Sequence, residues 1–185
     1  AQPMPGFALD IVAGDGIALV STAALTSTST PVTLTALNGA ITMADGATIA
    51  TDSGSIVLSA GTDVALGVLN SVGGMIDITA GAGASAVGAI TDNTVDENPN
   101  VIASAAVTLT AETGIGASGD ADIDTTIVTL HAENLTSGGI FVEETDTLSI
   151  PAGTVAAAGV GGDVSIHVSV GSFTQEGDII ASDSG

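Results

Sequence analysis

The chain has 185 residues, 21 of them Asp or Glu and none Lys or Arg, for a formal net charge of -21. Without a strong cation it cannot neutralise phosphates, which excludes nucleic acid as a partner and argues against docking on anionic membrane surfaces. Cysteine is absent, so burial and backbone hydrogen bonds hold the fold, and no apolar run approaches the ~18 residues that membrane insertion requires. The opening residues, AQPMPGF, have neither a basic start nor an apolar stretch, so they do not read as a signal peptide. Abundant Gly, Thr, Ser, Val and Ile, with three Phe as the whole aromatic complement, favour strands and tight turns over helices.

One phrase recurs along the chain: apolar, variable, apolar, variable, then usually alanine. The copies are Leu9–Ala13, Val32–Ala36, Ile56–Ala60, Ile76–Ala80, Val107–Ala111, Val128–Ala132, Leu148–Ala152 and Val164–Val168. Their central apolar residues are Ile11, Leu34, Leu58, Ile78, Leu109, Leu130, Ile150 and Ile166, spaced by 23, 24, 20, 31, 21, 20 and 16 residues. Alternation puts both apolar positions of a phrase on one face of a strand. A second short apolar pair often follows: Ile17 and Leu19, Ile41 and Met43, Val64 and Leu66, Ile140 and Val142. Turn signals such as Gly14-Asp15-Gly16, Asn38-Gly39 and Asp45-Gly46 fill the gaps.

A turn of about 20 residues carrying two or three short strands is the rung of a parallel β-helix, with like residues stacked about 4.8 Å apart. The expectation is an all-β, right-handed parallel β-helix (a β-solenoid) of about 7–8 rungs, forming a single domain over residues 1–185. The spacing of 31 marks a loop leaving the wall at Asp92–Asn100, and the short spacing at Ile150 marks the least regular rung. The competing fold is an antiparallel β-sandwich. Against it stand the regular phrase and the shortage of aromatic core anchors.

The stretches Gly54–Leu66 (GSIVLSAGTDVAL) and Val107–Gly116 (VTLTAETGIG) resemble the repeats of filamentous haemagglutinin-type exoproteins, large secreted bacterial adhesins built on right-handed parallel β-helices. The resemblance implies a secreted, surface-displayed rod that adheres or builds matrix. A family secretion domain is not recognisable, and the total lack of Lys and Arg departs from the family pattern.

Asp120, Asp122 and Asp124 alternate, so an extended strand would aim all three carboxylates one way. Such a set repels itself unless a hard cation sits among it, and Ca²⁺ suits it, with a solvated acidic edge as the plain alternative. Asp92, Asp96 and Glu97 form a second acidic group to which the same metal reading extends, and Glu143, Glu144 and Asp146 a third that reads as solvated surface. His131 and His167 take the same outward slot of their phrases and read as surface histidines. Outward Thr33, Thr35, Thr108 and Thr110 do not extend into a regular threonine ladder, and Gly81–Gly88 reads as a corner of the rod. Asn134-Leu135-Thr136 is a glycosylation sequon.

Catalysis is poorly supported: there is no Arg or Lys for lyase chemistry and no Trp or Tyr platform for sugars. The expected function is a non-catalytic, extracellular structural or adhesive element at the cell surface. Its partners would be further copies of itself, stacked head to tail into a filament or within a longer rod, and glycans of a host or neighbouring cell. Ca²⁺ would damp the repulsion between acidic subunits. The alternatives are a monomeric calcium- or glycan-binding module and a β-helix carbohydrate-active enzyme.

Overall fold

Alternation of inward and outward side chains shapes the chain from Leu9 onward. The computed structural model describes residues 8–95 and 97–182. Among these it forms nineteen strands and no helix. The first turn carries β1 (Leu9–Ala13), β2 (Ile17–Leu19) and β3 (Ala24–Ser27), and the second β4 (Val32–Ala36), β5 (Ile41–Met43) and β6 (Thr48–Thr51). The third carries β7 (Ile56–Ala60), β8 (Val64–Leu66) and β9 (Val68–Ser71). Then follow β10 (Ile76–Ala80), β11 (Ile90–Asp92), β12 (Val101–Ala111), β13 (Ile123–Asn134), β14 (Ile140–Glu144) and β15 (Leu148–Ile150). Last come β16 (Thr154–Ala157), β17 (Val164–Val168), β18 (Phe173–Gln175) and β19 (Asp178–Ala181).

Every ladder between these strands is parallel, which removes the antiparallel sandwich and leaves a β-solenoid of about seven turns. Three walls result. The first stacks β1, β4, β7 and β10, then the second halves of β12 and β13, then β16 and β19. The second stacks β2, β5, β8 and β11, continues through single bridges Ile90 to Ile115 to Ile140, and ends on β14 and β17. The third holds β3, β6, β9, the first half of β12, the middle of β13, then β15 and β18. The short apolar pairs that follow the main phrase all lie in the second wall.

The core is the set of columns these registers create. Leu34, Leu58, Ile78 and Leu109 form one, and Ile41, Val64, Ile90, Ile115 and Ile140 another, all fully buried. Each such side chain contributes about 1.5–3 kcal/mol by leaving water. An alanine column, Ala36, Ala60, Ala80 and Ala111, lines the buried corner where the first wall bends toward the second. At the corner from the third wall to the first, hydroxyls brace the turn. Ser27 Oγ donates to Thr30 O at 2.7 Å, Thr51 Oγ1 to Gly54 O, and Ser71 Oγ to Gly74 O at 2.9 Å. Successive corners approach so closely that a Cβ on Gly54 would collide with the Thr30 carbonyl, and one on Gly74 with the Gly54 carbonyl.

Later registers differ from the phrase alignment. Leu109 pairs with Ala132 rather than Leu130, because β12 and β13 run through a corner with a register shift between Ala103 and Ala106. Ala132 then pairs with Val155 and Val155 with Ile179, so these turns are 23, 23 and 24 residues apart and the spacing of 16 disappears. Ile150 belongs to the third wall and Ile166 to the second. The extra length of the 31-residue interval is divided. Residues 81–89 replace the three or four residues that join the first two walls in earlier turns, and residues 93–100 separate β11 from β12. A third excursion, residues 116–122, leaves the second wall one turn later.

Candidate functional site

The excursions at 93–100 and 116–122 rise from adjacent turns, and the acidic residues collect between them. Asp92 closes the base of the first. Its Oδ1 accepts from Thr94 N at 2.8 Å, Thr94 Oγ1 at 2.8 Å and Asn100 Nδ2 at 2.6 Å, an Asx turn that fixes where the chain departs. Asn100, fully buried, returns the chain to the ladder: its N donates to Asp124 O at 2.8 Å, and its Oδ1 accepts from Asp124 N at 3.0 Å. Asp124 therefore sits directly beneath the loop.

The structure places the DADID residues unevenly. Asp120 is exposed in a turn, Asp122 lies in a bend, and Asp124 alone is on a strand, so the three do not line one extended segment. Asp124 faces out of the wall, opposite to core Ile123, yet is 6% exposed because the loop covers it. Carboxylate oxygens of Glu97, Asp122 and Asp124 lie within 4.8 Å of one another. Two acidic groups that are separate in sequence thus meet, with Glu97 joining from the loop. Asp96 lies outside the described residues.

Electrostatics follow the crowding. Burial, then the charges of Asp122, Glu97, Asp92 and Glu143, push the Asp124 carboxyl up to about 7. Asp122 is raised by burial, Glu143, Asp92 and Asp120, against an opposing pull from His167. Glu97, at the exposed lip, is raised by desolvation and by Asp120, Asp122, Glu143 and Asp92. Asp122 Oδ1 is buried without a hydrogen-bond partner among the described residues. His167 Nδ1 stands 3.3 Å from the Glu143 carboxylate at the edge of this patch.

Three other assignments change. Glu144 is not solvated surface. In β14 it follows Ile140 and Val142 on the inward face and is fully buried. Its carboxylate accepts from Thr125 Oγ1 at 2.7 Å, Ile127 N at 3.2 Å and Asp146 N at 3.0 Å. Burial holds this carboxyl above its ordinary range, partly offset by the Thr125, Asp146 and Ile127 hydrogen bonds. His131 and His167 are on different walls, opposite Thr108 and Glu143 respectively, because the last phrase belongs to the second wall. Asn134 replaces alanine in the corner column, is 1% exposed, and donates to Ser137 O and Gly138 O at 2.6 Å each. The folded chain therefore withholds the sequon's acceptor nitrogen.

No family model, curated protein or solved structure matches this chain. The β-solenoid implied by the resemblance is present, whereas membership of the filamentous haemagglutinin-type exoproteins gains no support from these comparisons. The chemistry of the site must be read from its own residues. A set of oxygen donors without a nearby Lys or Arg suits a hard cation or shared protons.

Proposed function

We propose that this chain is a non-catalytic structural or adhesive element of an extracellular, surface-displayed rod, and that its turns continue end to end into further solenoid turns, those of further copies in a filament or those of a longer rod. The observation that carries this reading is the state of the terminal turns. Core columns are sealed in the middle of the rod, but Leu9, Ile11, Ile17, Leu19 and Leu25 at one end are only partly buried, as are Val164, Ile166, Val168 and Ile179 at the other. Another turn with the same apolar columns would cover them, and each aliphatic side chain so buried contributes up to about 1.5–3 kcal/mol. The main-chain edge of a terminal β-turn is likewise a template for a further parallel strand. Such a contact is heterologous and need not close, which suits a filament. A composition without Lys or Cys supports placement outside the cell.

The outward side of the first wall supports the adhesive part of the reading. A groove of about 340 Å³ there is lined by Thr108, Thr110, His131, Glu133, Gly153 and Thr154, donors and acceptors suited to sugar hydroxyls. Electron microscopy and sedimentation of the purified chain over a range of NaCl concentrations test the assembly. Filaments favoured by salt, and abolished by Ile11→Asp, are expected. Monodisperse single rods at every protein and salt concentration would overturn end-to-end assembly.

A further inference from the structure

We propose that the carboxylates of Glu97, Asp122 and Asp124 bind one Ca²⁺, which clamps the loop at 93–100 onto the following turn of the rod. The cluster alone would not justify an ion; the state of its members does. Asp124 is 6% exposed, and its carboxylate accepts no hydrogen bond from any described residue, although its backbone N and O are both paired with Asn100. It points to the two other carboxylates and to no cationic side chain. Asp122, in the same cluster, has its Oδ1 buried without a hydrogen-bond partner among the described residues. Uncompensated buried carboxylates are costly, and a bound cation is the compensation that leaves them ionised.

Tolerance selects the ion. Ca²⁺ accepts oxygen ligands in flexible geometry, whereas Mg²⁺ demands a near-ideal octahedron and dehydrates reluctantly. Three carboxylates shared between a loop and the following turn, with oxygens within 4.8 Å of one another, suit the more tolerant ion. Three carboxylates leave room in a shell of 6–8 oxygens for waters and backbone carbonyls. The geometry also gives the ion a task. Glu97 belongs to the loop after β11, whereas Asp122 and Asp124 belong to the next turn, so one ion joins two turns at the place where the second wall is reduced to a single bridge at Ile115. This inference is independent of end-to-end assembly, since a single rod would bind the ion equally.

Titration calorimetry of the intact chain with CaCl₂, and with MgCl₂ beside it, in about 0.1 M NaCl near neutral pH tests the site. One Ca²⁺ per chain is expected, bound at least about tenfold more tightly than Mg²⁺. E97Q and D124N should each weaken binding by at least about tenfold, while Asp15→Asn, in an exposed turn at the far end, should leave it unchanged. Calcium should raise the thermal midpoint of the parent chain and not that of D124N. In chelator D124N should remain folded, because it removes a repelling buried charge. Absence of a binding isotherm, or weak multi-site binding that E97Q and D124N leave intact, would overturn the proposal.

Discussion

Replacing Glu144 by alanine tests whether a buried acid inside an aliphatic rod stabilises it. The carboxylate serves three donors, but their losses are unequal. Thr125 Oγ1 has a second acceptor in Glu143 O at 3.1 Å, and Asp146 is exposed, so water can serve its amide. Ile127 N is buried and falls where β13 passes from its pairing with β14 to its pairing with β15, leaving it no carbonyl of its own. An orphaned buried amide costs about 1–3 kcal/mol, and the void left by the side chain adds about 1–2 kcal/mol. Relief from desolvating a carboxylate returns part of this, so Glu144→Ala should cost about 2–4 kcal/mol overall. Glu144→Gln keeps one carbonyl oxygen for Ile127 and should stay within about 1 kcal/mol of the parent. Urea unfolding followed by far-ultraviolet circular dichroism gives the totals. Amide exchange gives the location, with Ile127 losing protection while Leu34 and Leu58 keep theirs, since each turn contacts only its neighbours. A loss for alanine below about 1 kcal/mol, or equal losses for alanine and glutamine, would refute this account of Glu144 as an acceptor.

The remaining predictions concern backbone approach and acidity. Gly74→Ala drives a Cβ into the Gly54 carbonyl and should cost more than about 2 kcal/mol, whereas Gly14→Ala meets nothing within 4 Å and should be nearly neutral, both read from urea midpoints. For the metal-free chain in chelator, Asp124 binds its proton more tightly folded (about 7) than unfolded (3.8). The folded state therefore holds the extra proton between these values, and stability falls as pH rises from about 4 to about 7 and is flat beyond. At about 1.4 kcal/mol per tenfold in proton affinity, and with solvent in the loop cleft screening roughly half, the fall is about 2 kcal/mol. Asp124→Asn should remove it; an unchanged pH profile in that variant would contradict the assignment.

Where apolar alternation and turn signals coincided, from Leu9 to Ala80, the phrase register and the ladder register agree. They separate at β12 and β13, where one strand passes a corner without a break and the register shift there moves Ala132, not Leu130, opposite Leu109. Sequence similarity cannot resolve that ambiguity, because Leu, Val and Ala at alternate positions suit any of the three walls. Glu144 was legible by the same rule that found the core, since Ile140, Val142 and Glu144 alternate; its charge masked its position. The acidic site was half legible. Asp122 and Asp124 stood out, but their junction with Glu97 depends on two loops from different turns meeting in space, and no local pattern encodes that meeting. The sequon failed as a surface signal because Asn134 fills a place that alanine holds elsewhere in the corner column.

The acidic excursions at 93–100 and 116–122 leave from neighbouring turns near the middle of the rod, while most other corners are tight. In a filament made by repeating about seven turns at about 4.8 Å each, that pair would recur once every ~34 Å along the axis. The fibre would then carry a regular rhythm of negative charge on an otherwise smooth wall, a ruler against which neighbouring fibres could align when divalent ions bridge them in register.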